Sequence, residues 1–102
     1  MNIIKRFALS KELNAIGDEL MRLSNECSLI EPKTEGDIDL YAKEYPLVFS
    51  ELISDAERMY DLSVREYEIF LELGAHDFAE LIQLETINET LYRYKQAQAC
   101  VA

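Results

Sequence analysis

Residues 9–30 read LSKELNAIGDELMRLSNECSLI, and their apolar members Leu9, Leu13, Ile16, Leu20, Leu23, Cys27 and Ile30 recur at intervals of four and three without a break. That recurrence follows the 3.6-residue turn of an α-helix, whereas a strand repeats every second residue. The positions between are mostly polar, among them Lys11, Glu12, Asn14, Asp18, Glu19, Arg22 and Glu26. Such a helix is wet on one side and needs helical partners for the other. With 102 residues to draw on, the chain itself supplies them. The expected fold is all-α: a small antiparallel bundle of three to four main helices, about 3–31, 35–44, 46–73 and 78–98, forming a single acidic domain over residues 1–102.

Working outward from the seam, Ile3, Ile4 and Phe7 keep helical spacing, so the first helix is expected to begin near residue 3, with Ser10 as the cap of a later start as the alternative. Pro32 ends it, because the residue before a proline disfavours the α conformation. The short connection Glu31-Pro32-Lys33 favours an antiparallel neighbour. Thr34 is placed to cap a second helix whose first turn carries Glu35 and Asp37, acids that suit the positive end of a helix dipole. Pro46 interrupts the pattern and opens a third helix, for which proline is well suited in the first turn; one kinked helix across 35–73 is the alternative.

From Phe49 through Leu52, Ile53, Ala56, Met59 and Tyr60 to Val64, Tyr67, Phe70 and Leu71 the apolar intervals are nearly all three or four. Ser63 and Glu66 match a capping box that could restart the helix there. Because Asp61-Leu62 holds no glycine or proline, one helix to about Leu73 is preferred, closed by Gly74 as a left-handed cap. Asp77 and Glu80 match another capping box and open a last helix from Phe78 to about Gln98. Its stripe is Leu81, Leu84, Ile87, Leu91 and Tyr94, with a second apolar edge at Phe78, Ile82 and Tyr92. An arc that broad is either deeply embedded or touches a second molecule.

Hydrophobic residues make up 49% of the chain, which suffices for one core. Twenty acids against ten bases give a formal charge of −10. Nucleic acid and anionic membrane would both repel such a chain, so neither is the expected partner. All twenty acids and only five bases fall within residues 12–92, and no Lys or Arg interrupts Glu66 to Tyr92. The plain reading of this charge is a solvated surface. The sharper one is a negative face that complements a cationic groove. No apolar run approaches the ~20 residues that cross a membrane, and Met1 to Phe7 lack the features of a secretory signal, so the expected location is the cytoplasm. Cys27 occupies a seam position and Cys100 lies near the end of the sequence, so no disulfide is expected between them.

Residues suited to catalysis are sparse. His76 lies in the Gly74–Asp77 turn near Glu72 and Asp77, but a lone histidine with flanking acids is weak as a metal or acid–base site, and a structural or capping role is expected. Gly17, Gly36 and Gly74 are scattered singly, so no phosphate-cradling loop is present, and no serine occupies a nucleophile elbow. No cofactor, metal or enzymatic activity is expected. Tyrosine, by contrast, is abundant at six residues. Tyr41, Tyr45, Tyr92 and Tyr94 stand near acids, a combination found where proteins bind proteins.

In size, acidity and want of a catalytic constellation the chain resembles the immunity proteins of bacteriocins and contact toxins and phage-encoded inhibitors of host defence. That likeness is one of composition and transfers no residue. It implies a stoichiometric inhibitor that occludes the basic nucleic-acid-binding surface of a partner such as a nuclease; the run of acids in this sequence, and not the likeness, assigns the contact to Glu66, Glu68, Glu72, Asp77, Glu80, Glu85, Glu89 and Tyr92. The alternative is a self-assembling structural or adaptor bundle, a homo-oligomer made through the last helix.

Overall fold

A computed structural model describes residues 2–32 and 37–101, and the described residues are helical almost throughout, with no strand among them. Helix α1 spans Ile3–Ile30, α2 Ile38–Glu44, α3 Pro46–Glu72, α4 His76–Glu80 and α5 Leu84–Val101. The all-α bundle expected from the sequence is therefore observed. The expected start of the second helix at residue 35 and its Thr34 cap lie outside the described residues.

Helix α1 begins where Ile3 suggests and not at Ser10. The side chain of Asn2 accepts a hydrogen bond from the Lys5 backbone N–H at 2.8 Å, satisfying one of the open donors of the first turn. Ser10 instead donates its hydroxyl to the Arg6 carbonyl within the helix. At the other end, the Tyr41 hydroxyl donates to the Ile30 carbonyl, so a residue of α2 closes the C-terminus of α1.

Tyr45 separates α2 from α3 because it precedes Pro46 and adopts a non-helical φ of −127°. The third helix then runs unbroken from Pro46 to Glu72; Ser63 sits buried inside it and the capping box at Ser63 and Glu66 is not used. Gly74, at φ 76°, ends it. The Gly74 and Ala75 amides bond back to the carbonyls of Leu71 and Phe70, a cap that needs a left-handed residue at Gly74.

The last expected helix, 78–98, is corrected. The chain forms a short α4 at His76–Glu80, leaves the helix at Leu81–Gln83, and restarts at Leu84. Neither glycine nor proline marks the break. Its cause is tertiary: α4 lays Phe78 on Phe70, with ring centroids 5.6 Å apart, and buries Ala79, whereas α5 must run back along α3 to bury Leu91, Tyr94 and Ala97. One straight helix cannot do both, so packing overrides local propensity. The break is carried by tight backbone bonds, Leu81 to Phe78 and Ile82 to Ala79.

Helix α3 is the shared spine. Both α1 and α5 lie against it while making no close backbone contact with each other. One apolar cluster joins α2, the first half of α3 and α5 around Phe49, Leu52, Ile53, Leu91 and Tyr94, with Cys27 and Ile30 of α1 at its edge. Phe49 and Tyr94 meet edge-on at 5.7 Å. The other cluster joins α1 to the second half of α3 through Leu9, Ile16, Leu23, Leu62 and Ile69. Leu13 and Leu20, members of the same apolar seam as Ile16 and Leu23, are only half-buried against it. The result is a rod of 52 × 21 × 20 Å. Its radius of gyration, 16.1 Å, exceeds the roughly 13 Å of a compact chain this long.

Candidate partner-binding surface

Eight residues were expected to form one acidic face, and the structure distributes them over three places. Glu66 is half-buried on α3, where burial raises its carboxyl above the usual range. Glu68 and Glu72, also on α3, converge on Arg65 at 3.5 and 3.8 Å. Arg65 in turn grips Glu12 of α1 with two nitrogens, at 2.6 and 2.9 Å. This paired bond clamps α1 to α3 and holds the Glu12 carboxyl below its ordinary range. Glu68 and Glu72 therefore belong to a partly neutralised cluster, and the sequence reading missed Arg65 as its centre. A cation on the wet side of one helix reveals nothing of the neighbour it reaches until the pairing of the helices is known.

The remaining residues are more open. Asp77 and Glu80 are exposed on α4. Glu85, Glu89 and Tyr92 are exposed along α5 at helical intervals of four and three, on the side away from Leu91, Tyr94 and Ala97. Tyr92 is 61% exposed, and its hydroxyl accepts a hydrogen bond from the Gln96 amide at 3.0 Å, which holds the ring along the helix. Of the other tyrosines weighed as anchors, Tyr94 is in the core, Tyr41 is half-buried at the end of α1, and Tyr45 is exposed against Tyr41, with ring centroids 5.3 Å apart.

Where α1 and α5 fail to meet, a groove of about 270 Å³ opens over α3. Leu52, Ala56 and Met59 form its floor, Ser24 and Ser28 one rim, and Thr86 and Thr90 the other. Its volume falls just under the roughly 300 Å³ at which small-molecule sites begin. Cys27 lines it with its thiol pushed up to about 11 by burial and by nearby carboxylates, so it stays protonated at neutral pH and is a poor nucleophile. His76 opens α4 at the surface, and no group of three or more His, Cys, Asp or Glu poised to hold a metal ion occurs among the described residues. Among the described residues no helix is long and apolar enough to cross a membrane.

The sequence reading also overlooked Ile3, Ile4 and Phe7 as surface residues. They extend α1 as expected but are 81%, 78% and 65% exposed. The signal was present: Phe7 precedes Leu9 by two residues and Ile4 precedes it by five, separations that turn a side chain to the far side of a helix. They form a stripe of their own, opposite the seam.

Comparison of the chain with protein-family models, with curated proteins and with solved structures gives no match.

Proposed function

We propose that this chain is a non-enzymatic acidic binding protein, a stoichiometric inhibitor of the immunity, antitoxin or phage anti-defence kind that covers a basic nucleic-acid-binding surface of a partner protein. The observation that carries the reading is the outward stripe of α5, in which Glu85, Glu89 and Tyr92 are exposed together, beside an α4 that exposes Asp77 and Glu80. No base interrupts this run of sequence. Carboxylates spaced along a rigid helix can imitate the backbone charges a nucleic acid would present, and Tyr92 adds an anchor with little conformational freedom to lose. Glu68 and Glu72 contribute less, since Arg65 already shares their charge.

The test is competition. A basic protein that co-purifies with the chain from its native cells is isolated and its binding to a labelled duplex is titrated with the chain. Release of the duplex, complete at one chain per partner and weakened by Glu85→Gln with Glu89→Gln, is the expected result. Association should slow more than dissociation, and should depend less on salt, because the lost interaction is long-range. A partner that keeps its duplex when saturated with the chain would refute the reading.

A further inference from the structure

The end of the rod where α1 begins and α3 finishes carries exposed apolar side chains of two kinds. The antiparallel pairing is fixed by the Glu12–Arg65 clamp and by the shared cluster of Leu9 and Ile69. Continuing α1 back from Leu9 to Ile3, about 9 Å at 1.5 Å per residue, brings it level with the turn at Gly74 and Ala75. On one side of this end stand Ile3, Ile4 and Phe7, bordered by Lys5, Arg6 and Lys11, the last of these seated over the Phe7 ring at 5.5 Å. Lys5 and Arg6 form no ion pair among the described residues. On α4 and just beyond it stand Phe78 and Leu81, 60% and 75% exposed, bordered by Asp77 and Glu80. The same end is thus basic and apolar on α1, and acidic and apolar on α4.

We infer that this end is a self-association surface, on which the first two turns of α1 of one copy dock against α4 and Leu81 of a second copy. The sequence places self-association on the expected last helix, 78–98, of which this surface keeps Phe78 and Leu81 and to which it adds the start of α1; it stands whether or not the α5 stripe binds a foreign protein. Charge selects the occupant. An anionic lipid surface would attract Lys5, Arg6 and Lys11 but be repelled by Asp77 and Glu80 at the same end, whereas a second copy offers each set its complement. The area agrees with a weak contact: the five apolar side chains expose on the order of 750 Å², and with their charged borders they approach the 1,200 Å² at which standard interfaces begin. An assembly that forms at high protein concentration and dissolves on dilution or in salt is therefore expected.

Sedimentation equilibrium of the full chain, over a hundredfold range of concentration in low and high salt, tests this. The wild type should gain mass with concentration in low salt, as a closed pair or as a longer chain, and lose that gain in high salt. Lys5→Glu with Arg6→Glu should remain monomeric, as should Asp77→Lys with Glu80→Lys, both keeping the wild-type helical circular dichroism because every altered side chain is exposed. Mixing the two variants should restore assembly, since each then presents the complement of the other. A wild type that is monomeric throughout, or a mixture that does not assemble, would overturn the inference. So would a monomeric wild type that co-sediments with phosphatidylglycerol vesicles and loses them in the Lys5→Glu, Arg6→Glu variant, which would assign the patch to a membrane surface.

Discussion

Ile69→Ala tests the architecture where it is thinnest. Ile69 is fully buried on the second half of α3, in the apolar cluster it shares with Leu9, Ile16 and Leu62. The substitution removes three carbons, worth about 2.4 kcal/mol of transfer at ~0.8 kcal/mol each. The cavity left behind adds to this, for a total of about 3–4 kcal/mol, short of the upper end because at this end of the rod α1 packs on α3 alone and can move inward. Stability of about 5–15 kcal/mol is usual for a chain of this length, so a fifth or more of it is at stake. Urea denaturation followed by circular dichroism and by tyrosine fluorescence measures the loss. Phe49→Ala, at the other end of α3 and packed against Tyr41 and Tyr94, should cost about 3–5 kcal/mol. Because one continuous α3 serves both clusters, each variant should unfold in a single transition seen alike by both probes. A loss under about 1 kcal/mol for Ile69→Ala would put the seam at the surface. Two separated transitions would show that the halves of the rod fold independently, and the single-domain reading would fail.

Leu20→Ala should cost less than Leu23→Ala in the same assay, since Leu23 is 2% exposed and Leu20 only half-buried. Acidification has a signed effect. Asp55 has an oxygen buried without a hydrogen-bond partner, and its carboxyl is raised by burial and by Glu26 beside it, as Glu66 is raised by burial. For these two the folded chain holds its proton to higher pH than the unfolded one, so stability grows as pH falls from neutral through their folded values. Glu12 and Glu19 are lowered by Arg65 and Arg22, and their stabilisation, present above the unfolded value near 4, is lost as pH falls further. The urea midpoint should therefore rise as pH is lowered from 7 and fall again in stronger acid, with Asp55→Asn raising it at pH 7 and flattening the climb; a midpoint that falls steadily from pH 7 would contradict this assignment. A disulfide reagent at neutral pH should label exposed Cys100 quickly and the half-buried Cys27, whose thiol stays protonated, far more slowly.

The parts of the fold that could be read from the residues are those in which local pattern and tertiary demand agree. The Leu9–Ile30 seam, the Pro46 start and the Gly74 cap each rest on chemistry that acts within a turn or two, and each appears in the structure where the residues place it. The break at Leu81–Gln83 could not be read, because nothing in those three residues opposes a helix. It follows from the direction in which α5 must run to reach Phe49, a constraint imposed by residues far away in the chain. The depth of burial along α1 was hidden for the same reason: Leu20 and Leu23 belong to one stripe, but only the position of α3 decides which lies deeper.

The candidate surface shows the same division more sharply. Counting acids along the chain marks a negative stretch but treats seven carboxylates as equivalent. Folding makes them unequal by means that composition does not record: Glu66 is partly taken out of water, Glu68 and Glu72 share Arg65 with Glu12 of another helix, and only Asp77, Glu80, Glu85 and Glu89 stand exposed outside both arrangements. This distinction changes how an electrostatic reading is tested. Neutralising Glu12 on α1 is not a neutral control for neutralising Glu85 on α5, because it breaks the clamp between α1 and α3 and removes a fixed partner from Arg65. Asp18, exposed on α1 and outside these ion pairs, serves instead. If Asp18→Asn weakens partner binding as much as Glu85→Gln, net charge alone steers the encounter and the α5 stripe has no special part; if only the α5 change matters, the position of the charge is what the partner reads.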